Sequence, residues 1–178
     1  YQLISVDGGS LRNAIPREST VVVAVKVENV VLFRKELNTI SEVIKVEFDS
    51  IDKDMVVSTE AASTSEKAIS SEDKIKILNT IYSLHNGVFR MSPDIEGLVE
   101  TSSSLARVII KNGDFVTQSL QRSSVESSKD DVANTIRGVF ELMGCAVVQS
   151  GDYPGWQPNK NSAILDIMSK LYRDSFNE

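Results

Sequence analysis

The stretch Arg107-Val108-Ile109-Ile110-Lys111-Asn112-Gly113-Asp114-Phe115-Val116-Thr117-Gln118 decides the fold. Asn112-Gly113 separates two strand-like runs, Val99 to Ile110 and Phe115 to Ser123. Both positions of a tight hairpin turn need positive φ, which Asn and Gly adopt at least cost. An antiparallel strand pair is expected here, and the rest of the chain is read outward from it.

Downstream, Ser127 or Ser128 opens a helix with Asp130 and Asp131 in its first turn. Val132, Ile136, Val139, Phe140 and Met143 form its buried stripe, and Gly144 ends it. Ala146-Val147-Val148 reads as a short strand. Tyr153-Pro154-Gly155-Trp156-Gln157-Pro158 is neither helix nor central strand, because its prolines remove donors. Asn161 or Ser162 caps a last helix with apolar positions Ile164, Met168, Leu171 and Tyr172.

Upstream, Ser70 or Ser71 caps a helix with the stripe Ile75, Leu78, Ile81 and Tyr82, closed by Asn86-Gly87. Residues 61–68 are small and polar, hence a loop, and Met55 to Thr59 is a strand candidate. A helix runs from Glu28, with Val30, Leu37, Ile40, Ile44 and Phe48 at helical spacing. Residues 1–7 and the β-branched run Ser19 to Val25 are strands, the latter buried. The expected class is α+β, a mostly antiparallel sheet with helices packed on one face.

Composition narrows the chemistry. The 178 residues carry 19 basic and 25 acidic side chains, a net charge of −6, with 41% apolar residues. That balance argues against duplex nucleic acid as a partner, since phosphate binding needs an excess of Lys and Arg. No apolar run approaches the ~20 residues that span a bilayer. One cysteine, Cys145, forms no internal disulfide, which fits a reducing, cytoplasmic compartment. One histidine and one cysteine do not make a structural zinc site. The chain opens at Tyr1 inside a strand-like run, so a piece of a longer parent is expected.

Three places invite chemistry. Gly8-Gly9-Ser10-Leu11-Arg12-Asn13-Ala14-Ile15-Pro16-Arg17-Glu18 combines close-approach glycines with a proline, a frame that can hold the Asn13 amide as an oxyanion donor. An ordinary strand–turn–strand connection is the other reading. Arg122, at the end of the second hairpin strand, can fork onto a carboxylate or simply be a solvated surface arginine. Trp156 can stack on a ligand or pack its loop onto the domain. His85 reads as a helix-end cation, and Asp94, Glu96 and Glu100 as loop and strand-edge charges.

Taken in order, the Asn13-Ala14-Ile15-Pro16-Arg17-Glu18 block, Leu98-Val99-Glu100-Thr101-Ser102, Arg122-Ser123 ahead of Ser127-Ser128-Lys129-Asp130, and Tyr153 to Pro158 resemble the bacterial aminoacyl-histidine dipeptidase family. These are carnosine-cleaving, dinuclear-zinc metallopeptidases of the aminoacylase and carboxypeptidase G type. The resemblance runs from residue 1 to about residue 176. It implies a lid or dimerisation domain over residues 1–152, lacking its first strand and helix, and a return segment over 153–178 toward a catalytic domain. It implies that Asn13 contacts the oxyanion and Arg122 holds the carboxylate of an Xaa-His dipeptide. The two zinc ions would belong to the catalytic domain of the parent; this chain alone is expected to bind none and to be inactive. A homodimer is a further expectation. The other class of reading is a stand-alone, non-catalytic dimerisation or ligand-binding module.

Overall fold

The computed structural model describes residues 1–64, 66–159 and 161–176. Its elements are β1 (Gln2–Gly8), β2 (Ser19–Ala24), a 3-10 turn (Val27–Asn29), α1 (Val30–Phe48), α2 (Ser71–Ser83), β3 (Gly87–Met91), β4 (Val99–Lys111), β5 (Asp114–Ser123), α3 (Glu126–Met143) and α4 (Ala163–Phe176). The strands hydrogen-bond in the order β2-β1-β4-β3, with β5 also on β4. β1 meets β2 and β4, and β3 meets β4, all antiparallel, so the α+β expectation holds. The hairpin turn is as read: Asn112 has φ 54° and Gly113 φ 88°.

The chain forms two compact units, Tyr1–Leu84 with Leu105–Leu120, and His85–Ser104 with Gln121–Glu178. In the first, Leu3, Ile4, Ile77, Ala106 and Ile110 are the buried apolar residues. Each fully buried Leu or Ile contributes about 1.5–3 kcal/mol. The Ile69 N–H donates to the Leu3 carbonyl at 2.9 Å, which ties the chain ahead of α2 to β1. Ser70 caps α2 as expected, its hydroxyl oxygen accepting from the Asp73 N–H at 3.0 Å. The Lys74 ammonium donates to the Tyr1 carbonyl at 3.1 Å and lies 4.7 Å from that ring's centre.

Several expectations in this unit need correction. β2 is not buried: among the described residues it pairs only with β1, and Val21 is exposed. Met55 to Thr59 pairs with no strand among the described residues and is irregular. α2 buries Ile77 and Thr80, whereas Ile75 and Leu78 are exposed and Tyr82 is 94% exposed. Its inward face begins with the half-buried Lys74, a position a lysine can hold because its ammonium reaches the Tyr1 carbonyl oxygen. α1 buries Ser41 and half-buries Val30, Phe33 and Leu37, leaving Ile40, Ile44 and Phe48 of the expected stripe exposed. The Ser41 hydroxyl is satisfied by donating to the Leu37 carbonyl at 2.7 Å.

The second unit centres on α3, which buries Val132, Ile136 and Phe140 as its stripe predicts. Gly144 closes it at φ 84°, with Gly144 N–H donating to the Glu141 carbonyl and Cys145 N–H to that of Phe140, both at 2.9 Å. The start differs from expectation. Val125 precedes the first turn and Glu126 supplies its carboxylate, because Ser128 is turned inward and buried. β3 replaces the expected helix end: α2 stops at Ser83, and Gly87, at φ 106°, opens a strand. Ala146 to Val148 is irregular. No residue of α4 is buried, so Ile164, Met168, Leu171 and Tyr172 are all exposed.

Candidate functional site

Asn13 lies in the first unit, in the connection between β1 and β2. The Ala14 N–H donates to the Leu11 carbonyl at 3.1 Å, which closes a four-residue turn with Asn13 at its third position. The Gly9 N–H donates to the Glu18 carbonyl at 3.0 Å across the base. Gly9 has φ 73° and lies so close to the Ala106 carbonyl oxygen that a Cβ there would overlap it. The loop is therefore seated at its base by a residue that only glycine suits. Asn13 itself is exposed, and no hydrogen bond fixes its carboxamide among the described residues. The turn's backbone bonds fix where the side chain starts.

Arg122 lies in the second unit, near the end of β5, and is exposed. No ion pair engages its guanidinium among the described residues. Successive side chains of a strand point to opposite faces, so its neighbours Gln121 and Ser123 point the other way. Both are anchored there: Gln121 Nε2 donates to Ser103 Oγ at 3.3 Å, and Ser123 Oγ lies 2.8 Å from Thr101 Oγ1. Thr101 also bonds Ser128 Oγ at 2.8 Å and donates to Glu100 Oε1 at 3.2 Å. Asn13 and Arg122 thus belong to different units, each with its own support.

Glu100 is no strand-edge charge. Its residue is 6% exposed, and Arg90 binds it, with Nε donating to Oε1 at 2.5 Å and a second guanidinium contact through Nη2. A double irregularity explains why a carboxylate enters here. Pairing passes from Val88↔Ser102 to Arg90↔Thr101 and then to Met91↔Val99. Phe89 on β3 and Glu100 on β4 are each an extra residue, and such bulges re-aim side chains. Sequence reading missed this pair because neither bulge has a compositional mark.

The Tyr153 to Pro158 block is tied to the first turn of α3. Lys129 Nζ donates to Asp152 Oδ1 at 2.7 Å, Glu126 Oε2 at 2.7 Å and the Tyr153 carbonyl at 2.8 Å. Asp152 and Glu126 hold the Lys129 ammonium above the usual lysine range. Lys129, and then the Gly155 N–H that donates to Glu126 Oε1, hold that carboxyl below its usual range. A Cβ at Gly155 would overlap the Ser123 carbonyl oxygen and lie 3.1 Å from Ser124 Cα, so this strap rests directly on the residue after Arg122. Trp156, next in the strap, does not pack it down: it is 88% exposed.

The remaining candidates are structural. The His85 ring packs edge-on against Phe89, centroids 5.2 Å apart. Among the described residues no three of His, Cys, Asp and Glu come together as a metal site, so the donors present do not fit the two zinc ions of the resemblance.

No family model matches the chain. It is similar to the cytosol non-specific dipeptidase of Escherichia coli (strain K12), with 30% identity over 177 residues, 99% of this chain and 36% of that protein. It is also similar to the crystal structure of aminoacylhistidine dipeptidase from Vibrio alginolyticus. There the TM-score is 0.87 and the identity 34%, over 98% of this chain and 36% of that one. The chain thus spans just over a third of the length of these relatives. Among the described residues no helix is long and apolar enough to cross a membrane.

Proposed function

We propose that this chain belongs to the aminoacyl-histidine dipeptidase family, as its likeness in sequence and fold supports, and is the substrate-gripping lid of a dipeptidase. Residues 1–152 form the lid, and 153–178 lead toward the catalytic domain of the parent. The exposed apolar face of α4 supports that second assignment, since an uncovered stripe of this kind normally packs on further polypeptide. The zinc ions and the water they activate would lie in that other domain, and no step through them is derived from the residues here.

The lid's own work is binding. Asn13 would offer its carboxamide N–H to the oxygen that gains charge as the peptide carbonyl turns tetrahedral. Arg122 would receive the carboxylate of the C-terminal residue, the histidine of an Xaa-His dipeptide, through two parallel N–H···O bonds. The single observation that carries this reading is Arg122 itself: an exposed guanidinium with no ion pair among the described residues, whose two neighbours are anchored on the opposite face. Arg122→Lys in the full-length dipeptidase tests it, because a point charge replaces a planar fork. The wild type should prefer a free-acid dipeptide to its C-terminal amide, and the variant should lose most of that preference. Undiminished discrimination would remove Arg122 from the substrate site.

A homodimer is the second reading. It is favoured by the open edge of β2 and the exposed apolar residues Val31, Leu32, Val43 and Val46 of α1. Concentration-dependent light scattering should show association; a constant monomer mass across the range would reject it.

A further inference from the structure

The most polar part of the second unit's interior sits under Arg122. Glu100, Thr101, Ser103 and Ser128 are all buried, and Thr101 is fully so. Thr101 Oγ1 has three partners within hydrogen-bond distance: Glu100 Oε1, Ser123 Oγ and Ser128 Oγ. A hydroxyl owns one proton and two lone pairs, so three bonds exhaust it. A carboxylate only accepts, which sends the Thr101 proton to Glu100. Both serines must then donate to Thr101. Ser123 Oγ in turn accepts from the Val125 N–H at 3.0 Å.

The bonds therefore run in one direction, from the Val125 amide through Ser123 and Thr101 to a carboxylate balanced by Arg90. Such chains reinforce each other and admit one arrangement. Ser128 joins the first turn of α3 to the same hub, and the Ser124 N–H donates to the Glu100 carbonyl at 3.1 Å. Residues 123–125 are thereby fixed by side chain and backbone immediately after Arg122. An apolar residue at 101 would fill the space as well, but it would not set the position of β5 against β4 and α3.

We infer that Thr101 is a positioning residue for Arg122: its hydroxyl, polarised by Glu100, sets where the guanidinium of the lid stands. This rests on the proposed carboxylate-binding role of Arg122. The full-length dipeptidase is compared as wild type, Thr101→Val, Thr101→Ser and Arg122→Lys, with two readouts. In Thr101→Val, which removes all three bonds of the hub, amide hydrogen exchange at Ser124 and Val125 should quicken at least about tenfold, the effect of one buried hydrogen bond alone. Exchange in the centre of α3, Val132 to Phe140, should not change. The KM for the free-acid dipeptide should rise by a similar factor, that for the amide should not, and kcat should hold. Thr101→Ser should restore both.

Unchanged exchange at Ser124 and Val125 in folded Thr101→Val overturns the inference. So does an equal rise in KM for acid and amide, or failure of Thr101→Ser to restore. If Thr101→Val does not fold, Ser128→Ala removes one donor to the hub and is judged by the same outcomes. If Arg122→Lys leaves acid and amide discrimination intact, the carboxylate reading fails while the exchange readout still decides the positioning.

Discussion

Replacing Gly155 with alanine should unseat the strap that carries Trp156. Gly155 is not at positive φ, unlike Gly151 or Gly144, so the backbone accepts alanine and the whole effect is steric. The new methyl would overlap the Ser123 carbonyl oxygen and lie 3.1 Å from Ser124 Cα and 3.2 Å from Glu126 Oε1. The strap must retreat by about 1 Å to regain ordinary contact. That retreat breaks the Gly155 N–H bond to Glu126 and stretches the 2.8 Å bond from Lys129 to the Tyr153 carbonyl. Overpacking inside a core costs about 1–3 kcal/mol, and here the low end applies because an exposed strap lifts more easily than a core distorts.

The assay uses the one tryptophan of the chain, which is the next residue. Trp156 is already exposed, so its emission maximum will hardly move, but its fluorescence anisotropy decay reports whether the strap turns with the domain. A component on the picosecond-to-nanosecond scale should grow in Gly155→Ala. An anisotropy decay and urea midpoint equal to wild type would refute the seating of Gly155 on Ser123.

The same signal should define a pH window. Glu126 titrates below its ordinary 4.5, so its contribution is full above that value and is lost as pH falls through the depressed one. Lys129 titrates above its ordinary 10.5, so its contribution is full below that value and is lost as pH rises through the elevated one. The fast component should stay flat between 4.5 and 10.5 and grow on either side; growth near neutrality would contradict the clasp. Gly9→Ala combines a left-handed φ with overlap on Ala106 and should cost about 1–3 kcal/mol in urea unfolding, against under 0.5 if the loop base adjusts freely. Asn13→Ala in the full-length enzyme should lower kcat by about 10²–10³ with a smaller change in KM. Turnover within threefold of wild type would end its role as an oxyanion contact.

What the sequence discloses here depends on whether a signal is local. Asn112-Gly113, the Ser70 cap and Gly144 each act within a few residues, and all three stand where they were read. The apolar stripe of α3 also transfers, since its polar and apolar faces separate cleanly. α2 misleads because two stripes share Ile81, and the buried one carries Lys74 and Thr80. Met55 to Thr59 has strand composition but no strand partner among the described residues, and pairing is not a local property. Among the candidate residues, Asn13 and Arg122 are named by the family resemblance, since locally each reads as readily as a turn residue or a solvated surface arginine. Glu100 and Thr101 were not legible: consecutive strand residues ordinarily face opposite ways, these two are both buried across a pair of bulges, and nothing in Val99-Glu100-Thr101 announces a bulge.

The pairing of β1 with β4 joins Gly8 to Val108 and Val6 to Ile110, whereas β4 and β5 are joined by a two-residue turn. Segments so far apart in the chain meet only after a large loss of chain entropy, so the hairpin should assemble early and β1 should dock late. Substitutions around Asn112 should then slow refolding, while equal damage in β1 should chiefly hasten unfolding. Until β1 arrives, that side of β4 is uncovered and able to take the wrong strand. For this topology, dilute refolding at low temperature should return more native protein than concentrated refolding.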